Sequence, residues 1–316
     1  MVSDNTTLTT IVRFHNRERL FFLEEAISSL ATQDWQDFEV VIALQNPDQT
    51  LAQEVAQLVR RQPWNATPRF QIIPVEVPAG VDGRSELLNQ GLRRATSRFV
   101  AFLDDDDIVY PQGYVILIRQ LLAGNSAVAV GGYRKAYLGR EAGRWRVKAR
   151  TESVVPTPSR LTLFQYNYIP LHSYVIDRSR LGGFELYFDN DLPPAEDYDF
   201  LLRLFARFEP DFSRFDTPIC EYRLHELNTI GKSLDRPEEQ PPALRRALNL
   251  IEVRKKTLSC VITAEELATL ASELARLLGE RERSLHRLAH RAHTVINRHP
   301  RLKASLRSAR ALLEKG

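Results

Sequence analysis

Four aspartates stand in a row at Asp104-Asp105-Asp106-Asp107, and no other stretch of the chain concentrates as much reactive chemistry. Carboxylates packed this closely repel one another, and each costs stability if buried unpaired. A divalent cation removes the problem, because hard cations take carboxylate oxygens. The competing reading is an acidic turn that caps the next segment, since Pro111 and Gly113 follow. A second acidic pair, Glu196-Asp197, opens a run containing Phe200, Leu201, Leu202, Leu204 and Phe205. Acidic residues are favoured at helix N-termini, so this pair also has a structural reading.

The elements that must position these groups can be read from periodicity. Phe99-Val100-Ala101-Phe102-Leu103 is an unbroken apolar run and predicts a buried strand that delivers the aspartates at its end. Ligands in open α/β sheets gather just beyond such strand ends. Upstream, strands are expected over 8–14, 38–44 and 70–77, with helices over 20–30, 51–59 and 85–95. This alternation predicts an α/β fold, a mostly parallel, Rossmann-like sheet with helices on both faces. Neither G-x-G-x-x-G nor G-x-x-x-x-G-K-[ST] occurs, which argues against an ordinary dinucleotide or P-loop site. Further on, a helix is expected over 113–122 and strands over 127–133, 171–176 and 219–225, with 134–160 mixed and basic. Proline-rich residues 236–242 read as a linker, giving an α/β unit over 1–235 and a helical extension over 236–316.

Composition narrows the function classes. The 316 residues are 43% hydrophobic and 26% charged, as in a soluble globular protein. A net charge of +3 does not call for nucleic acid. Residues 281–316 hold ten Lys/Arg against two Glu, a local +8 that leaves the rest near −5. His286, His290 and His293 share a helical face there, interleaved with Arg287 and Arg291, and read as a solvated basic face. The tail is expected to meet an anionic membrane surface, to pack on the catalytic unit or to support self-association. Two cysteines, Cys220 and Cys260, make no framework and suit a reducing compartment. No secretory signal and no long apolar run is seen, so the expectation is a cytoplasmic protein, peripheral at most on the inner face of the membrane.

Four segments in order carry a family resemblance: Ile11 to Ile42; Gly83-Arg84-Ser85-Glu86-Leu87-Leu88-Asn89-Gln90-Gly91; Phe102-Leu103-Asp104-Asp105-Asp106-Asp107; and Glu196-Asp197-Tyr198-Asp199-Phe200. Across residues 8–232 the chain resembles the family 2 glycosyltransferases of the GT-A fold. The resemblance implies an inverting enzyme that moves a sugar from a UDP-, dTDP- or GDP-sugar to a hydroxyl acceptor (glycan, lipid-linked, protein or small molecule), in cell-surface polysaccharide or glycoconjugate synthesis. It implies Mn2+ or Mg2+ as cofactor. By the family pattern Asp106 is the metal ligand, Asp105 touches the donor ribose and Asp104 supports the site. Asp197 takes the position of the base, held by Glu196. Asn16, Arg17, Arg84 and Asn89 fall where the donor lies, His225 near the metal or diphosphate, and His172 toward the acceptor.

Departures from that pattern leave a second function class open. The family often has Asp-Asp-Gly-Ser after the second strand, where the first Asp reads the base. Here Leu44-Gln45-Asn46-Pro47 stands instead; the Leu44 side chain cannot accept a hydrogen bond, whereas that of Gln45 can. The alternative is therefore a non-catalytic nucleotide-sugar-binding module with a degenerate site. A nucleotidyltransferase on a related sheet would need a glycine-rich N-terminal loop, and residues 11–19 contain no glycine.

Overall fold

A computed structural model of the chain describes residues 6–64, 69–228, 241–260 and a few positions within 263–272. The first half alternates as its periodicity demands: β1 (Leu8–Phe14), α1 (Leu20–Ala31), β2 (Phe38–Gln45), α2 (Gln49–Arg60), β3 (Arg69–Val75), α3 (Arg84–Arg94) and β4 (Phe99–Asp104). The four strands lie parallel in the order β3-β2-β1-β4. Successive side chains of a strand point to opposite faces. Ile11, Val41, Val100 and Phe102 accordingly pack with Leu87, Leu88 and Leu92 of α3. Leu8, Val12, Val40, Ile42, Ala101 and Leu103 pack on the other face with α1 and α2. Helices on both sides explain why these strands read as continuous apolar runs.

The second half is β5 (Ile108–Val109), α4 (Gly113–Ala123), β6 (Val128–Glu141), β7 (Arg144–Glu152), α5 (Arg160–Gln165), β8 (Tyr174–Asp177), α6 (Glu196–Arg207) and β9 (Asp211–Leu224). Among the described residues the sheet has nine strands, ordered β3-β2-β1-β4-β8-β6-β9-β5 with β7 paired to β6. Parallel pairing gives way beyond β4: β8 runs antiparallel to both β4 and β6, while β6 and β9 are parallel. The strand expected over 127–133 runs on to Glu141 and turns back as β7 through Ala142 and Gly143, both with positive φ.

Helix α7 (Pro242–Thr257) belongs to the same compact unit, which runs to Cys260. C-terminal to the boundary expected near 235, Leu244, Ala247 and Ile251 bury one face of α7. The 236–240 part of the linker and the basic segment 281–316, with its membrane and self-association readings, lie outside the described residues. Among the described residues no helix is long and apolar enough to cross a membrane.

Helix α3 lies so close to β1 that a Cβ on Gly91 would stand 2.3 Å from Ile11 Cγ2. Ile11 is fully buried and has nowhere to retreat. Gly91→Ala is therefore expected to cost about 1–3 kcal/mol by overpacking, read as a lower urea midpoint at unchanged slope.

Candidate active site

The aspartates end β4 beside Arg13 of β1, which pairs with Asp104 in the sheet register. Arg13 is buried, with Nε 2.5 Å from Asp104 Oδ1 and Nη1 2.5 Å from Glu196 Oε1. One guanidinium thus joins the end of β4 to the start of α6. A cleft of about 340 Å³ opens here, lined by Arg13, Arg84, Asp104–Asp107, Glu196 and Asp197 among others.

The four aspartates have four different environments. Asp106 Oδ2 receives Arg19 Nη2 at 2.5 Å, His225 Nε2 at 3.0 Å and Asn228 Nδ2 at 3.0 Å. Burial works to raise Asp106, but the His225 bond and the Arg19 charge outweigh it and hold the carboxyl below its usual range. Asp105 shares the Arg19 guanidinium at 2.8 Å, yet its Oδ2 is buried without a hydrogen-bond partner. Burial, then the neighbouring Asp106, push Asp105 well up. Asp107 accepts the Arg223 N–H at 2.7 Å and is also raised, chiefly by burial. Asp104 is the most exposed of the four side chains at 21%.

The acidic pair at the start of α6 is held differently. Burial lifts Glu196 to about 7 against the pull of Arg13 and Arg84. Asp197 is half-buried and also raised by burial. Its Oδ1 accepts from the Tyr198 N–H at 2.7 Å, and Oδ2 lies 3.4 Å from Asn167 Nδ2. Two acidic motifs far apart in sequence therefore line one cleft, bridged by a single arginine.

The family model for glycosyl transferase family 2 matches residues 9–176. This chain belongs to glycosyl transferase family 2. Among curated proteins it is 24% identical over 272 residues to an uncharacterized glycosyltransferase of Haemophilus influenzae, covering 82% of this chain and 79% of that one. It is 22% identical over 217 residues to another from Methanocaldococcus jannaschii, covering 69% and 71%. The crystal structure of S. aureus TarS 1-349 superposes with a TM-score of 0.53 at 18% identity, over 78% of this chain and 65% of that chain, and shares the GT-A fold.

Within this transferase the expected site residues divide. Asp104, Asp105, Asp106, Arg84, Glu196 and Asp197 line the cleft, and His225 stands behind Asp106. Arg84 is tied to Asp82, Nη2 to Oδ2 at 2.6 Å. Gln45 ends β2 beside Gly83, where a Cβ would meet its Oε1 at 2.8 Å. Gln45, His225 and the remaining four all lie outside the cleft lining. Asn16 caps a short turn by accepting the Glu18 N–H. Arg17 pairs on the surface with Asp48 and Glu54. Asn89 is not free for a donor: its amide donates to Phe188 O at 2.9 Å and accepts from Phe188 N at 2.7 Å. His172 is buried, with Nδ1 3.1 Å from Asp107 Oδ2 and burial holding its pKa down to about 4.

Arg13, Arg19, Asn167 and Asn228 were not anticipated. Arg13 had a signal, a charge inside an otherwise uncharged buried strand. Arg19 had none, because its partners come from a distant strand end.

Whether a divalent cation suits this site is decided by the donor set. Asp106 offers an ionised carboxylate, His225 Nε2 is adjacent, and Asp105 Oδ2 is an orphaned buried oxygen. Among the described residues no group of three or more His, Cys, Asp or Glu side chains is placed to hold a metal ion. A divalent cation here would have few protein ligands and would take the remainder from a substrate.

Proposed function

We propose that this family 2 transferase is a metal-dependent, inverting enzyme that moves a sugar from a nucleotide-diphosphate sugar to a hydroxyl acceptor. The observation that carries the reading is Arg13 joining Asp104 to Glu196, which puts the aspartate cluster and the acidic start of α6 on one cleft. A bound Mn2+ or Mg2+ would offset negative charge gathering on the leaving diphosphate.

The chain's own residues divide the rest of the work. Asp106 and His225 would hold the cation, Asp106 being the aspartate whose carboxyl is held low. Asp104 and Asp105 flank the donor, and Arg84 presents a positive charge to its phosphates. Asp197, oriented by the Tyr198 N–H, takes the proton of the acceptor hydroxyl as it attacks. Its raised pKa makes it a stronger base than an ordinary aspartate. Glu196 and Arg13 fix the position of Asp197 rather than touching the acceptor. Attack from the face opposite the nucleotide inverts the anomeric centre.

The test is nucleotide release from a panel of UDP-, dTDP- and GDP-sugars with Mn2+, followed by NMR assignment of the product anomer. Retention of anomeric configuration would overturn the single-displacement mechanism. Asp106→Ala is expected to weaken Mn2+-dependent donor binding at least about tenfold, measured by calorimetry with and without chelator. Unchanged affinity would move the ligand role to a neighbouring aspartate.

A further inference from the structure

Most charged groups of the cleft come from the ends of β1 and β4 and the starts of α3 and α6, joined by Arg19 before α1 and Lys135 of β6. The segments that meet at Asp197 are apolar by contrast. Pro194 and Ala195 immediately precede the acidic pair and line the cleft. Asn167, whose amide reaches Asp197, leads directly into Tyr168-Ile169-Pro170-Leu171, all four of which line it too. Helix α7 packs on the Pro193–Ala195 turn and adds Leu244 and Leu248. Ile169, Leu171 and Leu244 are buried, whereas Pro170 and Leu248 are half-exposed.

The position of α7 is fixed by more than its buried face. Arg254 donates to Asp199 Oδ1 at 2.7 Å and to Asp189 Oδ2 at 2.8 Å. Asp199 stands two residues after Asp197 on α6, so α7 is tied to the helix that carries the acidic pair. Ala247 and Ile251 anchor it in the core, and Leu248 is left facing the cleft. This helix lies beyond the 9–176 segment that defines the family.

We infer that α7 builds an apolar acceptor subsite beside Asp197, with Leu248 and Pro170 as its accessible contacts, and that the acceptor carries an apolar group next to its reacting hydroxyl. The inference rests on the transferase reading, because it takes Asp197 to mark the acceptor side. Apolar surface leaving water drives the contact, so affinity rises with each methylene that reaches Leu248. A purely polar acceptor would leave this wall wet and gain nothing from it.

The experiment uses the full chain and a series of β-glucosides from methyl to hexyl. Binding is read by titration calorimetry without donor. It is also read as the concentration that half-alters hydrolysis of whichever sugar nucleotide the panel yields. Affinity is expected to rise about fourfold per added methylene in the wild type. That slope is expected to flatten in Leu248→Ser and to return in Leu248→Met. Leu244→Ala, a change at the buried floor, should lower the slope by a smaller amount. No chain-length dependence in the wild type would overturn the inference, as would a slope that survives Leu248→Ser unchanged. A chain that turns over no donor yet shows the calorimetric slope would sink the transferase mechanism and leave the apolar subsite standing.

Discussion

Asp197→Asn is expected to lower sugar transfer about 10²–10⁴-fold, the usual contribution of a positioned general base, while donor affinity stays within a few-fold of wild type. The two effects separate because Asp197 belongs to the start of α6 and its hydrogen-bond partners are Tyr198 and Asn167. The contacts of the aspartate cluster run instead through Asp106, Arg19, His225 and Asn228. An amide keeps the shape and accepts the same Tyr198 N–H through its oxygen, so the loss falls on proton removal and not on the fold. The pH profile gives a second reading. A base works ionised, so transfer rises as pH passes its pKa, and burial places that rise above the usual aspartate range. In Asp197→Asn this acidic limb should vanish from what activity is left. Transfer near the wild-type rate would assign proton removal to another group, with Glu196 the nearest candidate.

The fold and the acidic motifs were legible for one physical reason: both depend on local pattern. Phe99 to Leu103 is buried on both faces, so it carries no alternation to confuse, and its end had to be where Asp104 begins. The partners of those aspartates were not legible, because they are set by tertiary register. Arg13 lies 91 positions from Asp104 and 183 from Glu196. Asn89 shows the reverse error. Its place in a glycine-bearing segment resembled a donor contact, but the folded chain uses it to fasten α3 to Phe188, while Ser85 of the same segment donates to Asp189 O. That segment clamps the sheet to the loop before α6. Strand β7 was hidden by its charge. Arg144-Trp145-Arg146-Val147-Lys148-Ala149-Arg150 alternates as a strand should, yet most of it stays exposed and it resembled a basic loop. Helix α7 was readable as a helix, but nothing in its own residues told that Arg254 would dock on Asp189 and Asp199.

Replacing Arg13 by Met is expected to cost about 3–5 kcal/mol of stability, the range for removing one partner of a buried ion pair. The cost arises because Glu196 is buried and Asp104 mostly so, and both lose the guanidinium that compensates them. Its pH dependence follows from the sign of the Glu196 shift. Glu196 titrates near 7 in the folded chain, above its value in an unfolded chain, because burial outweighs Arg13. A carboxyl raised on folding contributes stability that is fully present below its unfolded pKa and lost as pH rises through its folded pKa. Without Arg13 the folded pKa moves further up, so Glu196 in the variant stays protonated at neutral pH. The deficit against wild type should therefore be smallest near pH 5, where Glu196 is protonated in both proteins, and grow as pH passes 7. Urea unfolding at stepped pH measures it. Arg13→Lys keeps a positive charge but not the fork that reaches both carboxylates at once, so it should recover only part of the loss. A deficit that is flat across this window would mean that lost packing of the Arg13 stem, and not its charge on Glu196, sets the stability.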